Sequence, residues 1–301
     1  MSLKGKNILV GISGSIAAYK TAELIRILKA QDANVFVAMT ENAKNFINPI
    51  TFETFTNNKC LIDTFDRHFE FKPEHVSIAK QADLVVIAPA SADIIGKIAN
   101  GLADDMLTTT VMACKCKKLI APAMNTAMYE NPIVQENIEK LKRFGYELIE
   151  PNYGRLASGD LGKGKMEEPE EIFECIIKEL VYEKDLAGKK VLVTAGPTIE
   201  KIDSVRCLTN HSTGKMGYAL ARIAMLRGAE VNLISGKTNN KPPKFVKCIN
   251  VISAKEMFDA VKENFENQDI IIKAAAVSDF KAKEIFDGKI KKTDSNLNIE
   301  L

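Results

Sequence analysis

The apolar residues of this chain follow two alternating rhythms. Short unbroken runs, NILVG near the start and LVVIA and KKLIA further on, have the length and composition of strands buried on both faces of a parallel sheet. Behind the first run comes a Gly/Ser turn, then Ala17, Leu24, Ile27 and Leu28 at helical spacing. NILVGISGSIAAYKTAELIRILKAQDANVFVAMT therefore predicts strand, tight turn, amphipathic helix and strand, one βαβ unit. LVVIAPASADIIGKIANGLADD repeats the pattern with a strand at 84–88, and KKLIAPA opens another repeat. EEPEEIFECIIKEL predicts a helix over 167–180, and the charged segment VYEKDLAGKK after it reads as a domain boundary.

The rhythm then restarts. KKVLVTAGPT is strand and turn, TGKMGYALARIAMLRGAEVNLISG is helix, glycine stop and strand, and AKEMFDAVKENFENQDIIIKAAAVSDF is helix and strand. The expected fold is α/β: a doubly wound parallel sheet, flavodoxin- or Rossmann-like, over residues 1–182, followed by a second Rossmann-like α/β domain over 183–301. The turns of the second differ from those of the first, so it is not a tandem copy. DGKIKKTDSNLNIEL stops on what reads as the beginning of a strand, and the second domain is expected to be incomplete. A length of 301 residues suits two domains of roughly 150 residues each.

Charge narrows the class of partner. With 41 Lys plus Arg against 39 Asp plus Glu, nothing calls for nucleic acid or an anionic membrane, and a small molecule is the expected partner. The opening residues lack an apolar segment of signal-peptide length, and no run approaches the roughly 20 apolar residues of a membrane span. A soluble, cytoplasmic protein is expected. The six cysteines are scattered. Cys114 and Cys116 are separated by one residue where zinc and redox motifs usually have two, so all are read as reduced thiols and no metal ligand is assigned.

Candidate chemistry collects at turns. Gly11, Ser13, Gly14 and Ser15 lie between a strand and a helix, where backbone N–H groups and the positive end of the helix dipole suit a phosphate. The spacing is not G-x-G-x-x-G, and a glycine turn here also serves plain chain reversal. APASAD at 88–93, ADDMLTT at 103–109 and APAMN at 121–125 add small and hydroxyl side chains, expected at the carboxyl edge of the sheet where ligands of open α/β proteins bind. PAMNTAMYENP is unusual, an amide bracketed by two methionines. Taken alone, Asn125 could cap a helix while Met124 and Met128 fill the core.

Taken in order, GISGSIAAYK, APASADIIGKIANGLADDMLTT and PAMNTAMY resemble the flavin-binding cysteine decarboxylases. PEHVSIAK and LASGDLGKGKMEEPEEI narrow the resemblance to the phosphopantothenoylcysteine decarboxylase half of the bifunctional coenzyme A enzymes, over most of residues 5–180. The resemblance implies FMN, its phosphate at Gly14 and Ser15, with Ser13, Thr40, Ser91, Thr108 and Thr109 completing the flavin site. It further implies that Asn125 holds the carboxylate and amide region of the substrate, with Met124 and Lys165 also on the substrate side. His75 is implied as the base, while His68 carries no motif and reads as a surface residue.

The chemistry explains these parts. A carboxylate leaves as carbon dioxide only if its electrons have a sink, and a cysteine thiol provides none. Oxidation of the thiol-bearing carbon by flavin places a C=S group beta to the carboxylate, so decarboxylation gives an ene-thiolate that is then reduced, with no net redox change. An amide can hold the carboxylate without adding a full charge to a partly dry pocket, and imidazole titrates near neutrality. Two positions depart from the family: Ser158 stands where a cysteine is usual, and Lys165 where arginine is frequent. The cysteine is taken to protonate the ene-thiolate, and a serine hydroxyl is a much weaker acid. Gly159, Gly162 and Gly164 suggest a mobile flap.

TAGPTIEKIDSVRCLTNHSTGKMGYALA, AAAVSDF and DGKIKK resemble the phosphopantothenate-cysteine ligase half of the same enzymes, with residues 186–301 matching its opening part. HSTGKMG is not a Walker loop, because Met216 stands where Ser or Thr would meet magnesium. The ligase resemblance implies CTP with Mg2+, activation of phosphopantothenate as an acyl-cytidylate and attack by the cysteine amine. Asn210 would hold the acyl intermediate, Gly196, Ala275, Ala276 and Asp279 would line the nucleotide, and Lys289 would stabilise phosphate charge. KIKK also reads as a solvated charge run. A homo-oligomer built from trimers is expected. The rival readings are a non-catalytic flavin-binding regulatory subunit and a flavin enzyme acting on a peptidyl cysteine or as a prenyltransferase.

Overall fold

A computed structural model describes residues 2–64, 74–291 and 299–301. The chain divides into two compact units, Met1–Val181 and Tyr182–Leu301.

The first unit runs β1 (Asn7–Ile12), α1 (Ala18–Ala30), β2 (Asn34–Met39), α2 (Pro49–Thr56), α3 (Glu74–Gln81), β3 (Leu84–Ala90), α4 (Ala92–Ala99), α5 (Met106–Ala113), β4 (Lys117–Pro122), α6 (Thr126–Tyr129), α7 (Pro132–Arg143), β5 (Tyr146–Leu148), β6 (Asn152–Arg155), β7 (Leu161–Lys165) and α8 (Pro169–Leu180). Its main sheet has the order β2-β1-β3-β4-β5 and is parallel throughout, the doubly wound, flavodoxin-like arrangement. Every residue of β3 is buried, as the unbroken LVVIA run requires. Covering helices present narrow apolar stripes: α4 buries Ile94, Ile95, Ile98 and Ala99, each fully buried isoleucine contributing about 1.5–3 kcal/mol. α8 starts at Pro169, whose missing N–H costs nothing in the first turn, and packs against α1.

ADDMLTT differs from its sequence reading. It is the cap and first turn of α5, not a strand end: Asp105 accepts from the Thr108 N–H at 2.7 Å, and the Thr108 hydroxyl lies against the Asp105 N–H in a capping box. That reciprocal cap outcompetes an extended conformation because it satisfies two otherwise orphaned helix donors.

The second unit runs β8 (Lys190–Ala195), β9 (Ile199–Lys201), β10 (Cys207–Thr209), α9 (Lys215–Leu226), β11 (Glu230–Ser235), β12 (Lys247–Asn250), α10 (Ala254–Asn264) and β13 (Ile270–Lys273). Its parallel sheet has the order β12-β11-β8-β13, and β9 and β10 form a separate antiparallel pair. α9 lies so close to the end of β8 that a Cβ on Gly217 would fall 2.5 Å from the Cβ of Ala195, which is why this helix carries glycine there. Among the described residues, no helix is long and apolar enough to cross a membrane.

Candidate active site

Strand order positions the first site. Consecutive connections leave β1 and β3 in opposite directions along the sheet, opening a crevice at their carboxyl ends. Ser13 bridges that crevice: its buried hydroxyl donates to the Pro89 carbonyl at 2.7 Å and accepts from the Ser91 N–H at 2.8 Å. Gly14 turns against Asn42, where any Cβ would come within 2.8 Å of the Asn42 Cβ. Among the described residues the N–H groups of Gly14, Ser15 and Ile16 have no hydrogen-bond partner, and α1 has no acidic residue in its first turn. Free donors at a helix N-terminus fit an anionic group such as the FMN phosphate.

The hydroxyls expected around the flavin are placed differently from one another. Ser91 caps α4 and is half-buried. Thr40 is buried and caps a short 3-10 turn over Glu41–Asn45. Thr108 is buried with its hydroxyl donating to Asp105 Oδ1 at 2.8 Å, whereas Thr109 is half-buried and donates to the Ala103 carbonyl at 3.3 Å.

β4 delivers the PAMN segment beside α1. A cavity of about 560 Å³ opens there, lined among others by Ser15, Met124, Asn125, Ser158 and Lys165. Asn125 caps α6, its Oδ1 accepting from the Ala127 N–H at 2.8 Å. This cap fixes the amide, so its Nδ2 faces the β6–β7 hairpin and donates to Asp160 Oδ2 at 3.0 Å. Ser158 Oγ donates to the same oxygen at 2.9 Å. Met124 packs against the core while Met128 is 49% exposed, so the second methionine is not core filler.

The flap glycines have three separate reasons. Gly159 sits at φ +91° in the open hairpin turn. A Cβ on Gly162 would meet Thr126 Oγ1 at 2.3 Å, and one on Gly164 would meet the Met124 carbonyl oxygen at 2.4 Å. Gly162 thus allows close approach of the hairpin to α6, and Gly164 to the Met124–Asn125 segment before it. The Thr126 hydroxyl beneath the hairpin is buried with no partner among the described residues.

Charge is concentrated at the other wall. Buried Lys20 donates to the Met166 carbonyl at 3.2 Å and to Glu168 Oε2 at 2.8 Å, while Lys165 reaches Glu168 Oε1 at 3.2 Å. The hydrogen bond from Lys20, and after it that from Lys165, hold the Glu168 carboxyl below its ordinary value.

His75 lies in the first turn of α3, half-buried and not among the residues lining the cavity. His68 falls outside the described residues.

In the second unit, the carboxyl ends of β8 and β13 meet. Ala276 N–H donates to the Gly196 carbonyl at 2.9 Å, and Thr198 N–H returns to the Ala276 carbonyl at 3.2 Å. Asn210 Nδ2 lies 3.2 Å from both the Ala276 and Val277 carbonyls. Gly196, Asn210 and Ala276 are therefore one cluster, with Ala275 adjacent. Asp279 and Lys289 are exposed. The loop carrying Lys289 is docked by Asp203, whose carboxylate accepts from the N–H groups of Val205, Arg206 and Ile290 and from the Arg206 guanidinium.

Residues 1–181 match the Flavoprotein family model and residues 186–301 the DNA/pantothenate metabolism flavoprotein C-terminal domain. The coenzyme A biosynthesis bifunctional protein CoaBC of Haemophilus influenzae is 46% identical over 301 residues, covering 100% of this chain and 75% of that protein. The chain belongs to the CoaBC family. The Bacillus subtilis CoaBC protein is 47% identical over 302 residues, covering 99% of this chain and 74% of its own length. Among solved structures, a PPC decarboxylase mutant complexed with pantothenoylaminoethenethiol matches 57% of this chain and 96% of its own, with a TM-score of 0.52 and 32% identity. The FMN binding protein AtHal3 matches with the same TM-score and identity over 57% of this chain and 95% of its own. The chain is thus a flavoprotein of coenzyme A biosynthesis with the decarboxylase-then-ligase order of CoaBC.

Asp160 lies inside the LASGD run, yet nothing in the sequence singles it out. A carboxylate in a turn carries no signal of its own there; only the hairpin fold shows that Asn125 and Ser158 share it.

Proposed function

We propose that residues 1–182 carry out FMN-dependent decarboxylation of phosphopantothenoylcysteine to phosphopantetheine. The observation that carries this reading is the Asn125–Asp160–Ser158 cluster at the mouth of a cavity that also reaches the N-terminus of α1. FMN, when bound, supplies the reversible oxidation that creates an electron sink beta to the carboxylate. Ser13, Gly14 and Ser15 hold its phosphate, with Thr40, Ser91, Thr108 and Thr109 around it.

Asn125 orients the substrate carboxylate through Nδ2, because its Oδ1 is already committed to the helix cap. Met124 and Lys165, which also line the cavity, lie on the substrate side. Ser158, a lining residue of the same cavity, delivers the proton to the ene-thiolate. His75 takes the thiol or adjacent proton; since it does not line the cavity of its own chain, it acts across a contact between copies in a trimer-based homo-oligomer.

Residues 183–301 supply the ligase half. There Asn210 holds the acyl intermediate, Gly196, Ala275, Ala276 and Asp279 line CTP with its Mg2+, and Lys289 stabilises phosphate charge. Clustering of Gly196, Asn210 and Ala276 supports this assignment. Mass spectrometry after incubation with phosphopantothenoylcysteine, and separately with phosphopantothenate, CTP and cysteine, tests both halves. Unchanged substrate in the first incubation refutes the decarboxylase reading, and unchanged phosphopantothenate in the second refutes the ligase reading.

A further inference from the structure

With serine in place of a thiol, the acid that protonates the ene-thiolate has to be found among its neighbours. The Ser158 hydroxyl points its hydrogen at Asp160 Oδ2, 2.9 Å away. While Asp160 is ionised, that hydrogen is held by a carboxylate and the oxygen of Ser158 offers the cavity only lone pairs. Asp160 is therefore either an obstacle to the last half of the reaction or its proton source.

Geometry decides between these. Asn125 has one amide nitrogen for two carboxylates. Its Oδ1 is locked by the Ala127 N–H, and Nδ2 already donates one hydrogen to Asp160. A substrate carboxylate held on the remaining N–H would lie within roughly 5 Å of Asp160, a distance set by the span of one NH2 group and two hydrogen bonds. Two ionised carboxylates at that separation repel, and a shared proton relieves the repulsion, as in other carboxylate pairs that share a proton. Substrate binding thus favours a proton on the pair.

The surrounding charges allow this. The hairpin cations Lys163 and Lys165 are paired with Glu150 and Glu168 at 3.1 and 3.2 Å, and Lys20 of α1 is held by Glu168 as well. α6 presents no charged side chain, only Tyr129. Arg155, which lines the cavity, has no ion pair among the described residues and is the one cation free to bind the substrate.

We propose that binding of the substrate carboxylate at Asn125 loads a proton onto Asp160, and that this proton, relayed through Ser158, is the one delivered to the ene-thiolate carbon. The balance is simple. Carbon dioxide leaves with the carboxylate's negative charge transferred to the ene-thiolate; Ser158 gives its hydrogen to the carbon and recovers one from Asp160; Asp160 is left ionised and reloads from solvent with the next substrate. FMN, when bound, would supply the hydride for the other carbon, having taken it up from the same substrate, so no outside reductant is needed. The inference rests on the decarboxylase reading above and deepens it.

A binding measurement tests it without turnover. The probe is the serine analogue of the substrate, which keeps the carboxylate and lacks the oxidisable thiol; phosphopantetheine, which lacks the carboxylate, is the control. Calorimetry of the FMN-loaded enzyme near pH 6 in buffers of different ionisation enthalpy reads protons bound. The wild type takes up a substantial fraction of one proton more with the serine analogue than with phosphopantetheine, the phosphate's own proton exchange being common to both ligands, and Asp160→Asn shows no such difference. No difference in the wild type, or an equal difference in Asp160→Asn, overturns the proposal.

Product analysis gives the second readout. Asparagine keeps an acceptor for Asn125 and Ser158 but has no proton to give, so Asp160→Asn accumulates product two mass units below phosphopantetheine, and adding Ser158→Cys restores the reduced product. A merely positional role for Asp160 predicts an unchanged product ratio. Asp160→Glu, which keeps the acid, stays close to wild type if Asp160→Asn fails to hold FMN; a Glu variant that also accumulates oxidised product overturns the assignment. If wild type releases no carbon dioxide, the decarboxylase reading fails, and the proton-uptake result still stands or falls separately.

Discussion

Met124 and Gly164 lie back to back: the Met124 N–H donates to the Gly164 carbonyl at 3.0 Å, and Gly164 holds φ at +136° with no room for a Cβ. This contact seats the β6–β7 hairpin on the PAMN segment and so brings Ser158 and Asp160 to Asn125. Gly164→Ala is expected to unseat it. Backbone strain alone costs about 1–3 kcal/mol, and the added methyl meets the Met124 carbonyl. The variant should show a lower melting temperature, faster proteolytic cleavage within 156–165 and loss of decarboxylation. Wild-type cleavage rates would show that the hairpin is held by other contacts.

Ser158→Cys should shift products toward the reduced form. In air the wild type is expected to release some product two mass units below phosphopantetheine, because a hydroxyl is a poorer acid than a thiol by many orders of magnitude. If wild type gives only phosphopantetheine and Ser158→Ala does so equally fast, Ser158 has no part in proton delivery.

His75→Asn and Asn125→Asp mixed in one oligomer should complement each other. Each alone is expected to be inactive with FMN retained. After random reassembly of equal amounts, about a quarter of the sites in a cyclic trimer pair an intact His75 from one copy with an intact Asn125 from the next. Zero recovered activity places both residues in the same chain's site.

Asp203 gives the second unit an acid-sensitive joint. Backbone N–H bonds from Arg206, then Val205 and Ile290, with the Arg206 charge, hold its carboxyl at about 2. A depressed carboxyl contributes stability that is fully present above the ordinary value near 4 and lost as pH falls toward 2. Asp203→Asn should therefore lower the melting temperature at pH 7 and flatten its dependence on pH between about 4 and 2. An unchanged slope would assign the acid transition to other groups.

Much of this architecture was legible in the sequence, because unbroken runs such as LVVIA can be satisfied only by strands covered on both faces, and Ile94, Ile95 and Ile98 define their helix face by spacing alone. The site was legible where a motif sat at a strand end, as with Ser13 and Asn125. It was hidden where long-range pairing made it. Asp160 meets Asn125 only when the hairpin docks, Lys20 is buried because α8 brings Glu168 to it, and ADDMLTT offers two adjacent carboxylates of which only the fold shows that Asp105 is the cap.

The most direct test of the account follows the carboxyl carbon itself. Phosphopantothenoylcysteine labelled at the cysteine carboxyl, incubated with the FMN-loaded protein, should release its label as carbon dioxide, and Asn125→Asp should abolish release while keeping the flavin absorption bands, because a second carboxylate repels the one to be held. Release by Asn125→Asp at the wild-type rate, or none from the wild type, would contradict the assignment of this cavity to decarboxylation.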